Sequence, residues 1–147
     1  MKKTLLVLAV LLLLILSLLP IPPKDADGAF NVISGAIWCQ NGKACLHEIG
    51  HKLDKDSGWI SGSEDFKLTI STYIAFEAYQ GTPSETALRL IAYPLVYDFN
   101  PFRITHAEIY ASLFSWSGGK QENMPDLFRK FYDWDRAAKL IEKYASS

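Results

Sequence analysis

The chain has 147 residues, enough for one domain with a single buried core. Acidic and basic side chains nearly cancel, at a formal net charge of -1, and the basic ones are scattered. No cationic footprint for nucleic acid emerges, so polyanion partners are excluded.

Lys2, Lys3 and Thr4 precede an apolar run over residues 5–19, broken only by Ser17 and closed by Pro20, Pro22 and Pro23. This is the pattern of a secretory signal or signal anchor. As a helix the run reaches about 22 Å against about 30 Å of bilayer hydrocarbon, which favours a cleaved signal. No Ala-x-Ala follows closely, which keeps an uncleaved anchor open. Residues 1–23 are expected to form a hydrophobic helix that delivers residues 24–147 to the extracytoplasmic side, secreted or membrane-anchored.

Residues 24–28 are polar and read as a linker. Residues 29–38 carry β-branched and aromatic side chains and predict one or two strands. Cys39 and Cys45 flank the turn-forming Asn41-Gly42, so in an oxidising compartment a bridge between them would pin the entry to the next helix. Two free thiols, or Cys45 as a metal ligand, are the alternatives.

A helix is predicted from Lys43 or Ala44, with Leu46, Ile49, Gly50 and Leu53 facing the core and His47, His51 and Asp54 on an adjacent face. Glycine and serine in residues 55–62 end it. Ser63 caps a second helix to about Gln80, with Phe66, Ile70, Tyr73 and Ile74 buried and Gly81 closing it. Thr82-Pro83-Ser84-Glu85 combines a capping box with proline at the first helical position, predicting a short helix over residues 83–92. Residues 94–104 read as a loop, and a fourth helix covers residues 106–116, ending at Gly118-Gly119. Met124-Pro125 opens a last helix with Leu127, Phe131, Trp134, Ala138 and Ile141 as its apolar stripe. The fold class is α+β and predominantly helical, with a small sheet packed on the histidine-bearing helix.

That helix carries the chemistry, in His47-Glu48-Ile49-Gly50-His51. Two histidines four apart stand one above the other on a helical face, so both rings reach one ion. Glu48 points near the open side of that ion, where it can take a proton from water. A catalytic zinc site needs a third protein ligand. Asp54, Glu77, His106 and Glu108 are the candidates. Glu108 sits in a helix with apolar residues on nearly every side, where a carboxylate needs a partner, and Ala111, Ser112 and Ser115 beside it would let the motif helix come close. Thr105 with Glu108 also matches a capping box, in which Glu108 only bonds backbone. Glu77 continues the buried stripe of its own helix and is the main rival. Asp54 suits a second role, as an acceptor that orients a histidine ring. His106 is expected exposed at a helix start, with donation to a reacting carbonyl as its functional alternative.

The His-Glu-x-Gly-His-x-x-Asp block, with Glu108-Ile-Tyr-Ala-x-x-Phe on a later helix, resembles the gluzincin metallopeptidases, in particular the branch typified by the anthrax lethal factor catalytic domain. The resemblance runs over residues 38–114. It implies a zincin-like minimal peptidase domain in which His47, His51 and Glu108 bind zinc, Glu48 is the general base, and a peptide or protein is the substrate. Two positions depart from the family. Ser112 stands where relatives commonly have a second glutamate. Pro101 stands where they place an oxyanion-stabilising tyrosine, for which Tyr97 is the nearest substitute. Residues 32–38 suit edge pairing with an extended substrate. The alternative function is a catalytically silent, membrane-tethered binding or structural domain held together by zinc.

Overall fold

The computed structural model describes residue 15, residues 26–97 and residues 105–145, excluding the side chains of residues 93–97 and 105. The N-terminal apolar run, apart from Ile15, and Pro101 lie outside the described residues.

Two short strands, β1 (Gly28–Phe30) and β2 (Ile37–Cys39), pair antiparallel with Gly28 opposite Cys39, Ala29 opposite Trp38 and Phe30 opposite Ile37. Residues 32–36 are the turn between them rather than a substrate-pairing strand, because Asn31 Oδ1 accepts the N–H groups of Ile33 and Ser34 and folds the chain back. Helix α1 (Gly42–Asp56) follows, started by Asn41, whose side chain accepts the Ala44 N–H at 2.9 Å. Cys39 and Cys45 form a disulfide that joins the end of β2 to the first turn of α1. The bridge is consistent with an extracellular location. Among the described residues no helix is long and apolar enough to cross a membrane.

Helix α2 (Glu64–Tyr79) is capped by Ser63, which accepts the Phe66 N–H at 3.2 Å. Helix α3 (Glu85–Tyr97) begins one cap later than the sequence suggests and continues through Pro94 into the expected loop. Ser84, not Thr82, caps it, accepting the Ala87 N–H. Long-range contacts select that residue: the Glu77 carboxylate accepts the Ser84 N–H at 2.7 Å, and the Tyr73 hydroxyl bonds the Ser84 hydroxyl.

Helix α4 (Thr105–Trp116) crosses the middle of the fold and buries Ala107, Ile109, Tyr110, Ala111, Leu113 and Phe114. The last predicted helix is two, α5 (Asp126–Arg129) and α6 (Trp134–Tyr144), because Asp133 accepts the Arg136 N–H and starts a new helix. The break changes the register of the stripe. Phe128, Ala137 and Leu140 are buried, whereas Leu127 and Ala138 are exposed. The core is aromatic where α2, α4 and α5 meet, with Phe66 against Tyr110, Phe128 and Phe131.

Candidate metal centre

Helix α1 meets α4 unusually closely, and glycine makes that possible. A Cβ on Gly50 would lie 2.6 Å from the Ala111 Cα and 3.0 Å from its carbonyl oxygen. The small residues expected beside Glu108 thus permit the approach, and the Ser115 hydroxyl adds a hydrogen bond to the Lys43 carbonyl at 3.2 Å. Two residues before Gly50 and Ala111 on each helix stand Glu48 and Ile109, and the flanking turns bring His47, His51 and Glu108 together.

The histidine Nε2 atoms are 3.2 Å apart. His47 Nε2 lies 3.2 Å from Glu108 Oε2, and His51 Nε2 lies 3.4 Å from Glu108 Oε1. Zinc bonds of about 2.0–2.1 Å in a tetrahedron put ligand atoms about 3.3 Å apart. The pair of Nε2 atoms matches one edge of such a polyhedron, the two Glu108 oxygens lie one against each ring, and one ligand atom from each side chain falls within a 4.8 Å span. Two imidazole nitrogens with one carboxylate are a donor set that suits zinc. Among the described residues this is the cluster of histidine, cysteine and acidic groups able to hold an ion.

The electrostatics distinguish the two glutamates. Burial works to raise the Glu108 carboxyl, but its bonds to the His47 and His51 rings outweigh this and hold it well below the usual carboxylate range. For Glu48 burial prevails over the attraction of the same two rings, and repulsion from Glu108 adds to it, so its carboxyl is pushed up. A ligand should be anionic and a proton acceptor should hold its proton readily once it has one. The two carboxyls divide in that sense.

The hairpin lies along α1 and covers the other side of the motif. Gly28 meets Glu48, Phe30 stacks on the His51 ring at 6.1 Å between centroids, and the Lys55 ammonium donates to the Ile33 carbonyl at 2.9 Å. A cleft of about 410 Å³ opens beside the cluster, bordered by Asp27, Gly28, His47, Glu48, Ser112 and Trp116 among others. Ser112 is buried and borders this cleft.

Three sequence candidates take other places. Glu77 is engaged at the start of α3, through the Ser84 N–H. Asp54 is fully buried on α1, and its two oxygens accept the Ser61 N–H at 2.8 Å and the Ser61 hydroxyl at 2.6 Å. It therefore holds the turn after α1 instead of orienting a ring as the sequence suggested, since Ser61 folds back over the helix end. His106 is half-buried with Glu64 and Lys67 of α2 as its charged neighbours, two residues and about 200° around α4 from Glu108. Tyr97 is the last residue of α3, and its side chain lies outside the described residues. The Tyr110 and Tyr132 hydroxyls are spent in the core, on the Phe131 and Tyr110 carbonyls.

Gly28 is the site residue that the sequence reading missed. It lies in the polar stretch that reads as a linker, and its one available signal is a glycine abutting a strand, a mark of close approach. No protein-family model, curated protein or solved structure matches this chain.

Proposed function

We propose that the chain is a zinc-dependent metallopeptidase with His47, His51 and Glu108 as ligands and Glu48 as general base. The observation that carries the reading is the convergence of two imidazoles and a carboxylate next to an open cleft, with the Nε2 atoms 3.2 Å apart, one Glu108 oxygen 3.2 Å from His47 and the other 3.4 Å from His51. A bound zinc ion supplies Lewis acidity that acidifies water and polarises a carbonyl. Glu48, buried and beside the cleft, takes the proton of the attacking water as its oxygen bonds the carbonyl carbon. It then delivers that proton to the amide nitrogen as the C–N bond breaks, releasing an amine and a carboxylic acid.

The free edge of β1 favours an extended peptide as substrate. Backbone bonds from Asn31 N–H to the Ala36 carbonyl and from Gln40 N–H to the Asp27 carbonyl set the ladder's alternation. Gly28 and Phe30 consequently turn their N–H and C=O groups away from β2. Gly28 borders the cleft, and among the described residues no further strand pairs with this edge, which suits an added strand, a role moved here from residues 32–38.

The test uses the full chain in detergent, with metal analysis and a fluorogenic peptide library. Wild type should hold stoichiometric zinc and cleave peptides. Glu48→Gln should keep the metal and lose about 100-fold or more in kcat. Glu108→Ala should lose zinc while Glu77→Ala keeps it. Zinc retained in Glu108→Ala would overturn the ligand set. Zinc bound without cleavage of any peptide would favour a silent, zinc-stabilised domain.

A further inference from the structure

We infer that Gly28 is a positioning residue for Glu48: its bare Cα is the wall that aims the carboxylate, and any side chain there misdirects it. The inference rests on the peptidase reading but concerns a residue outside the motif and on another element.

The contact is specific to one side chain. A Cβ built on Gly28 would lie 2.8 Å from Glu48 Oε1, 2.9 Å from its Cγ and 3.2 Å from its Cδ. Those atoms run the length of the glutamate, so the methyl group would meet both stem and carboxylate. Glutamate has three rotatable bonds, and a base held to its working geometry needs walls that remove its other rotamers. The motif helix provides one side. The floor of β1 provides the other.

Backbone conformation does not explain the glycine. Gly35, Gly58, Gly81, Gly118 and Gly119 occupy the left-handed region, and Gly28 does not. Its lack of a side chain answers to close approach alone.

The hairpin cannot relieve the clash by lifting. Gly28 sits opposite Cys39 in the ladder, and Cys39 is covalently bonded to Cys45 on the first turn of α1, three residues before Glu48. At the far end of the hairpin Lys55 holds the Ile33 carbonyl. With the strand fastened at both ends, the softest response to a new Cβ is rotation of Glu48. The histidines and Glu108 are untouched by that rotation.

The experiment compares Gly28→Ala with wild type in the zinc-loaded full chain, using the best peptide from the library, and repeats it in a Glu48→Ala background for melting. The expected result is stoichiometric zinc, KM within about threefold of wild type and kcat lower by about 100-fold, as befits a displaced base. Any fall in melting temperature should vanish in the Glu48→Ala background, where the methyl group has room. Unchanged kcat would overturn the inference. So would loss of zinc, or an equal melting drop in both backgrounds, since either would put the effect elsewhere than on Glu48. If wild type cleaves nothing, the peptidase reading fails separately, and the melting comparison decides the Gly28 contact on its own.

Discussion

Helix α1 is gripped on two sides by different means. Toward α4 the contact is backbone against backbone, Gly50 on Ala111, and it brings Glu108 to the two histidines. Toward the hairpin the grip is a disulfide, a lysine and a glycine laid over Glu48. At Gly50 and Ala111 the first interface meets rigid backbone, so its spacing there is set by sterics and a single added methyl group is felt. The second is a tethered flap on flexible side chains. The proposed ligands thus depend on packing, and the proposed base depends on a tether.

The largest effect should come from breaking the rigid side. Gly50→Ala places a Cβ against the Ala111 backbone, which cannot rotate away, so α1 and α4 must part and Glu108 must withdraw. Overpacking outweighs the roughly 1 kcal/mol gain in helix propensity, for a net loss of about 3 kcal/mol. Urea unfolding with a zinc competition assay measures both consequences. Unchanged zinc affinity would show that the approach of the helices does not set the ligand spacing.

Cutting the tether should do the opposite, sparing the metal and harming the base. Replacing both Cys39 and Cys45 by serine removes a short loop closure and should cost about 2 kcal/mol. Zinc should remain stoichiometric while kcat drops, because the ligands are not on the hairpin. Equal loss of metal and turnover would erase the distinction between the two sides.

A smaller effect separates Asp54 from the site. Asp54→Ala leaves the buried Ser61 groups without their acceptor, at a cost of about 1–2 kcal/mol, and should not change zinc affinity. A tenfold weaker zinc affinity would restore a role behind His51.

The smallest effect is electrostatic and lies on the outside of α1. Burial works to raise the Asp56 carboxyl, but bonds from Arg136 and attraction to Lys52 hold it below its usual value. A depressed folded value means that the stabilisation is fully present above the ordinary aspartate range and is lost as pH falls through the folded value. The pair is partly exposed, so the loss should stay under about 1 kcal/mol. Acid unfolding of Arg136→Gln beside wild type reads it, and identical acid limbs would remove Asp56 from the account.

How far the sequence discloses this arrangement depends on the range of the interaction. The motif helix and its buried Ile49 and Leu53 follow from spacing within a few residues. The Cys39 and Cys45 bridge is legible for the same reason, since one turn separates them. Apolar surroundings favour Glu108 over Glu77, because a carboxylate there requires a partner, and Glu108 faces two imidazoles. The start of α3 is not local, since Glu77 and Tyr73, from the preceding helix, choose Ser84 over Thr82. The break before α6 is masked in the sequence by a heptad-like stripe that runs across the Asp133 cap.

The sequence by itself determined that two imidazoles and a carboxylate share one helix, because helical periodicity is local and needs no partner. It also confined the third ligand to a few acidic or histidine side chains. Only the tertiary structure decided that Glu108 sets one carboxylate oxygen 3.2 Å from His47 and the other 3.4 Å from His51, and that Gly28, from a stretch with no periodicity, lies against Glu48. Distances between elements arise from the volumes that meet across an interface. A chain read one residue at a time contains those volumes but not their neighbours.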